Sequence, residues 1–230
     1  MPIADFRRRL AAGEAVFAVN VGGRNADTLR SLAKHGAHAA FIDCERSGIA
    51  LDGAAELLFA ARAAGLPALV RTHSADQAEM VRFLDRDADG LIVPHCNSAH
   101  DAAAAVEVMR YACGKTAGEK ALIVQIETKH AVANLEAIAA VAGIDAYLIG
   151  PNDLAWDVCG ERGARNTQMT GIVDDICQRL GRLGKRYGMP GPLAELPRFR
   201  ERGCTFVYYA MDWLIETGMR ELQAAFREKS

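Results

Sequence analysis

The feature that most constrains this chain is an alternation. Short apolar, β-branched runs are each followed by a stretch with helical periodicity, and the alternation recurs eight times. Residues 15–21 read as a strand, broken by Gly22 and Gly23 before a helical segment at 25–35. The pairs that follow are 39–43 with 51–64, 67–71 with 75–84, and 90–93 with 99–111. Next come a strand ending at Glu127, a helix carrying Leu135, Ile138 and Val141, and a strand ending just before Asp153. A helix near 171–186, a weak strand at 187–190, a short helix at 196–202, a strand at 205–209 and a helix at 213–226 complete the chain.

Continuous apolar strands are the kind buried on both faces, as in parallel sheets. Eight strand–helix units within about the usual ~250 residues predict an α/β fold, a single (β/α)8 TIM barrel over residues 1–230. No Gly-x-Gly-x-x-Gly opens the first helix, so a dinucleotide-binding Rossmann fold lacks its fingerprint. No Pro/Ser-rich linker divides the chain.

Half of the 230 residues are hydrophobic, yet no run reaches the ~18 needed to span a bilayer. The N-terminus has no secretory apolar region, which predicts a cytoplasmic protein. A net charge of −2 without a basic patch argues against nucleic acid or anionic membrane as partner. The cysteines, at 44, 96, 113, 159, 177 and 204, show no C-x-x-C spacing; a zinc ribbon and a disulfide framework are both disfavoured.

In a barrel, the residues just after each strand crowd the catalytic face. Here they are Asn20; Asp43, Glu45 and Arg46; Arg71 and His73; His95; Glu127; Asp153; Gly191; and Asp212. Glu127 and Asp153 end strands of one β-α-β unit, hence of the same polarity, and leave the same edge of the sheet. A lone acid at a strand end is usually a helix cap or a solvated group. Two at adjoining ends could share a hard divalent cation, since Mg²⁺ takes oxygen ligands and typically one or two protein carboxylates. Open positions would remain for a 2-oxo acid chelating through carboxylate and ketone oxygens. Arg71, always charged and planar, suits the charge developing on the ketone oxygen, although it could equally be a rim residue paired with Asp43. The turn Gly150-Pro151-Asn152-Asp153 offers backbone N–H groups to a carboxylate. Gln125 points to the same side of its strand as Glu127, towards ligand or the barrel core.

The Gln-Ile-Glu-Thr strand end (125–128), the Asn-Leu-Glu-Ala-Ile segment (134–138) and the Gly-Pro-Asn-Asp-Leu turn (150–154) together resemble the metal site of the HpcH/HpaI aldolases, the 4-hydroxy-2-oxoheptanedioate aldolase and citrate lyase β family. The resemblance implies a metal-dependent carbon–carbon lyase, a class II pyruvate aldolase using Mg²⁺ or Mn²⁺ through a metal-stabilised pyruvate enolate. It implies Glu127 and Asp153 as metal ligands, Arg71 on the ketone or enolate oxygen, and the 150–153 turn under the pyruvate carboxylate. The small-molecule partners would be a 2-oxo acid and an aldehyde. Relatives exchange the last helix, here 213–226, between subunits of a hexamer, so a homo-oligomer is expected.

Two departures accompany the likeness. Where the family has Asp-Gly-Glu-His after the second strand, this chain has Asp43-Cys44-Glu45-Arg46. The histidine that handles protons is thus replaced by Arg46, which cannot act as a base near neutral pH. Asp43 carries over, and Arg46 helps to shape the mouth. The loop before the fifth strand is also shorter, so less of the pocket is covered. Without the histidine, decarboxylation of a 2-oxo diacid such as oxaloacetate is easier to support than aldol addition. An acyl-CoA-directed lyase of the same superfamily, and a degenerate relative that binds a 2-oxo acid and metal without turnover, remain as alternatives.

Overall fold

A computed structural model describes residues 2–163 and 166–227. Eight strands, β1 (Val16–Asn20), β2 (Ala39–Asp43), β3 (Ala68–Arg71), β4 (Gly90–Val93), β5 (Ala121–Ile126), β6 (Ala146–Ile149), β7 (Tyr187–Pro190) and β8 (Phe206–Ala210), pair in sequence order, all parallel. β8 returns to β1 in a register running from Val16 opposite Phe206 to Asn20 opposite Ala210, which closes the barrel.

The helices are α1 (Ile3–Ala12), α2 (Ala26–Lys34), α3 (Leu51–Ala63), α4 (Gln77–Leu84), α5 (Ala99–Cys113), α6 (Lys129–Ala133), α7 (Leu135–Ala139), α8 (Pro151–Cys159), α9 (Thr167–Arg182), α10 (Leu196–Glu201) and α11 (Met211–Ala225). Side chains that start them also cap them: Asn25, Asp76, Ser98, Thr128 and Asn166 each accept a hydrogen bond from a first-turn N–H. No helix among the described residues is long and apolar enough to cross a membrane.

The side-chain period of two sorts each strand between two cores. Val16, Ala18, Ala39, Phe41, Leu69, Ile92, Ile123, Leu148 and Phe206 fill the barrel interior, while the alternate positions pack outward under the helices. Continuing the inward row one step toward the C-terminal end reaches Asn20, Asp43, Arg71, Gln125 and Tyr208. The interior is therefore apolar below and polar at its upper rim, and the polar layer is where a ligand can enter. The lower end is plugged by α1: Phe6 and Leu10 are almost fully buried in the interior core, with Phe6 edge-on to Phe206 at 6.4 Å.

Three local differences from the sequence pattern have physical causes. The single helix expected after β5 is split into α6 and α7 at Asn134, whose side chain donates instead to the Asn97 carbonyl at 2.9 Å. α9 starts four residues earlier than the apolar periodicity suggests, because Asn166 caps it. α8 follows β6 directly, with Pro151 in its first turn, where the missing N–H costs nothing.

Candidate functional site

Asp43 and Arg71 stand opposite one another in the β2–β3 register. Arg71 donates from Nε to Asp43 Oδ1 at 2.9 Å and from Nη2 to Oδ2 at 2.6 Å, the paired geometry that fixes a guanidinium in orientation. Asp43 Oδ1 also accepts the backbone N–H groups of Glu45 and Arg46, each at 3.1 Å. An ionised carboxylate has about four acceptor sites, so Asp43 is fully engaged in holding Arg71 and the loop after β2. Burial works against the Arg71 charge, but the Asp43 hydrogen bonds prevail and raise its proton affinity further. The guanidinium lies 5.5 Å from the Phe41 ring centre. Its third nitrogen, Nη1, is 3.0 Å from Glu45 Oε2 and 3.5 Å from Gln125 Oε1. Glu45 Oε2 is buried, and its contact with Arg71 is an ion pair without hydrogen-bond alignment.

Glu127, only 1% exposed, is held at both oxygens. Oε1 accepts the His95 backbone N–H at 2.8 Å and lies 3.1 Å from His95 Nδ1, and Oε2 accepts Gln125 Nε2 at 2.7 Å. His95 reaches Glu127 with both backbone and ring because its backbone is left-handed, at φ 55°. Such a conformation costs a non-glycine residue of order 1–3 kcal/mol and persists only where its surroundings impose it. Burial pushes the Glu127 carboxyl above the usual carboxylate range; the nearby Glu45 and Asp153 charges add to this, while the His95 contacts oppose it. Gly150 is required beside it, since a Cβ there would come within 2.8 Å of Glu127 Cβ and 3.0 Å of Oε2.

Asp153 lies in the first turn of α8. Its Oδ1 takes Arg46 Nη2 at 2.7 Å and Arg162 Nη2 at 3.0 Å. Arg46 Nε also lies 3.3 Å from Glu45 Oε1, so one guanidinium spans two carboxylates. Glu127 and Asp153 line one cavity of about 530 Å³, together with Arg46, His95, Thr128, Trp156, Asp157 and Arg162. Across the Arg46–Asp153–Arg162 bridge is a second cavity of about 190 Å³, the barrel mouth, walled by Arg71, Gln125, Asn152, Pro190, Tyr208 and Trp213 among others.

The donor set suits a hard divalent cation. Of the roughly four acceptor sites on each carboxylate, Glu127 commits three and Asp153 two to the contacts above. Oxygen therefore remains on both, inside one cavity. Arg46 already places a positive charge on Asp153, and a cation has to share or displace it. Among the described residues no cluster of three or more His, Cys, Asp or Glu forms a metal site, so a bound ion would rest on this carboxylate pair.

Of the residues expected at the rim, Asp43, Arg46, Arg71, Gln125, Glu127, Gly150, Asn152 and Asp153 come together around these two cavities. His73 does not. It lines a separate cavity between α3 and α4 with Cys44 and Glu79, and its N–H is bound by Glu79 at 2.7 Å. Cys44 is buried there, and desolvation pushes its thiol up to about 12. Asp212 is exposed on α11, and Gly191 packs against Phe199. Arg162 carried no signal in the sequence, since it sits in a loop nine residues beyond Asp153 without periodicity. Tyr208, whose hydroxyl accepts Asn20 Nδ2 at 2.8 Å, was legible as the inward member of its strand.

The family model described as HpcH/HpaI aldolase/citrate lyase matches residues 17–212. A hydroxypyruvate/pyruvate aldolase of Pseudomonas aeruginosa is 29% identical, across 99% of this chain and 94% of that protein. A 2-dehydro-3,6-dideoxy-6-sulfogluconate aldolase of Pseudomonas putida is 30% identical, across 82% of this chain and 83% of its own length. Among solved structures, an HpcH/HpaI aldolase/citrate lyase family protein from Burkholderia cenocepacia J2315 superposes with a TM-score of 0.87 at 24% identity, covering 97% of this chain and 99% of that one. With a closed eight-stranded barrel and an acidic pair at adjoining strand ends, the chain belongs to the HpcH/HpaI aldolase/citrate lyase family.

Proposed function

We propose that this protein is a metal-dependent carbon–carbon lyase of the pyruvate aldolase type, making or breaking a bond to the methyl carbon of a 2-oxo acid. The observation that carries the reading is the convergence of Glu127 and Asp153 on one cavity wall, beside the clamped Arg71. Glu127 and Asp153 would hold Mg²⁺ or Mn²⁺, which supplies Lewis-acid stabilisation of negative charge on the ketone oxygen.

The chain's own residues do the rest. Arg71, immobilised by Asp43, offers its remaining N–H groups to the ketone oxygen as charge develops there, at no cost in reorganisation. Asp43 acts through Arg71 as a positioning residue. Gln125 fixes Glu127, and the N-terminal end of α8, from Gly150 through Asn152 to Asp153, offers N–H groups to the substrate carboxylate.

Arg46 decides which half of the chemistry is easy. It stands after β2, bound to Glu45 and Asp153, and it cannot take a proton. Loss of CO₂ from a 2-oxo diacid such as oxaloacetate forms the enolate without a base, so decarboxylation is the favoured activity and aldol addition the slower one. The test is proton NMR of pyruvate in D₂O beside an oxaloacetate decarboxylation assay, each with and without Mn²⁺. We expect Mn²⁺-dependent decarboxylation and slow exchange of the pyruvate methyl protons. Arg46→His should raise that exchange by about 10²-fold or more, the usual contribution of a positioned general base. Absence of both activities with every metal, alongside intact 2-oxo acid binding, would leave the non-turnover relative; activity only with acyl-CoA substrates would favour the acyl-CoA lyase.

The surface of α11 bears on assembly. None of its residues is buried, and Leu214, Ile215, Met219, Leu222 and Phe226 at or just past its end are 42–88% exposed. We propose that a second copy of the chain covers this face, as the family likeness implies. Light scattering should find a homo-oligomer, and Met219→Glu with Leu222→Glu should reduce it to monomers; an unchanged mass would refute the assignment.

A further inference from the structure

The bridge between the two cavities has a charge imbalance that the lyase chemistry does not use. Arg46 and Arg162 arrive from different loops, one after β2 and one after α8, and both guanidiniums converge on the single oxygen Oδ1 of Asp153. Arg46 has a second acidic neighbour in Glu45, which it shares with Arg71. Arg162, 52% exposed at its side chain, has no other acidic partner among the described residues. The neighbouring Asp157 is not available to it, because its Oδ2 accepts the Lys129 N–H at 2.6 Å. Asp153 is also one of the two carboxylates assigned to the cation. Whatever share of its charge goes to a divalent ion is withdrawn from both arginines, and the wall they form becomes net positive toward both cavities.

We propose that Arg46 and Arg162 form a recognition site for a second negative charge, carried on the part of the substrate farthest from the keto-acid carboxylate. The substrate class is therefore a 2-oxo diacid, and in the aldol direction an aldehyde bearing an anionic group. This inference rests on the lyase reading and extends it to the half of the substrate that Arg71 and α8 do not touch. Two planar guanidiniums, half-exposed and at the rim, suit a carboxylate or a phosphate equally; both present the paired oxygens that such forks bind.

The experiment compares size-matched pairs on the full chain with Mn²⁺. For turnover with pyruvate the pairs are 4-oxobutanoate against butanal, and glyceraldehyde 3-phosphate against glyceraldehyde, which separate carboxylate from phosphate recognition. For binding alone the pair is 2-oxoglutarate against 2-oxopentanoate. Binding is read from tryptophan fluorescence, because the chain has only two tryptophans and both border the bridge: Trp156 the larger cavity and Trp213 the mouth.

The anionic member should be preferred about tenfold or more, the scale of one charge-assisted hydrogen bond. Arg162→Gln should erase that preference through KM and dissociation constant with little change in kcat, and Arg162→Lys should restore part of it. The preference should also shrink with added salt. Equal affinity of the wild type for 2-oxoglutarate and 2-oxopentanoate, or an equal loss for both in Arg162→Gln, overturns the proposal. Failure to turn over any aldehyde or oxaloacetate would count against the lyase reading instead, and the binding comparison would still decide this one.

Discussion

Glu127→Gln should reduce metal-dependent turnover by at least about 10³-fold, the upper range seen when one charge-stabilising group is removed from an active site. The substitution keeps the shape of the side chain and an oxygen to accept the His95 N–H, but removes the negative charge. Mn²⁺ affinity, measured by titration calorimetry, should fall with it. The loss is separable from unfolding. Burial raises the Glu127 carboxyl, so its folded-state value lies above its unfolded-state value, and its ionised form opposes folding. Stability from this group is thus fully present below the unfolded-state value and is lost as pH rises through the folded-state one. The metal-free Gln variant should consequently melt no lower than wild type at neutral pH. Metal binding runs the other way, since the ligand has to be deprotonated. Affinity for Mn²⁺ should weaken as pH falls, and begin to do so above the range of an ordinary glutamate. An inactive variant with undiminished Mn²⁺ affinity would remove Glu127 from the ligand set.

Gly188→Ala should be the most damaging substitution for the fold. Gly188 sits in β7 between Leu148 of β6 and Phe206 of β8, and a Cβ there would fall 1.4 Å from the Phe206 carbonyl oxygen. The obstacle is backbone, which cannot step aside without parting the β7–β8 ladder. We expect a loss of about 4 kcal/mol or more, the range reserved for severe core and backbone lesions, seen as a lowered denaturation midpoint or as insoluble protein. Gly171→Ala is the control. That glycine is exposed within α9 with nothing within 4 Å of its would-be Cβ, and the change should stabilise by roughly 0.5–1 kcal/mol. Equal effects at the two positions would mean that steric closure of the barrel at β7 is not what Gly188 provides.

The barrel was legible because a buried parallel strand writes itself as a continuous apolar run, and even the four-residue β7 lies at 187–190 as expected. The acidic pair was legible for the same reason, since Glu127 and Asp153 stand where such runs stop. What the pattern did not convey is which neighbours each acid meets. The saturation of Asp43 by Arg71 and two backbone N–H groups depends on the register of β2 with β3 and on the turn after β2. The left-handed backbone of His95 leaves no mark in residue type. Arg162 reaches Asp153 only because the loop after α8 doubles back. His73 was misplaced in the rim for a related reason: Glu79, brought close by the Asp76 cap of α4, binds its N–H in a cavity outside the mouth.

Phe6 and Leu10 leave the barrel open at one end only. A keto acid seated against Arg71 and the start of α8 lies at the bottom of a blind shaft, and any partner that reacts with it has to come in above it. Traffic is then first in, last out: the acid must enter before its partner, and in the cleavage direction the aldehyde or CO₂ must depart before pyruvate can. Steady-state kinetics should accordingly show compulsory order, with pyruvate the last species to leave.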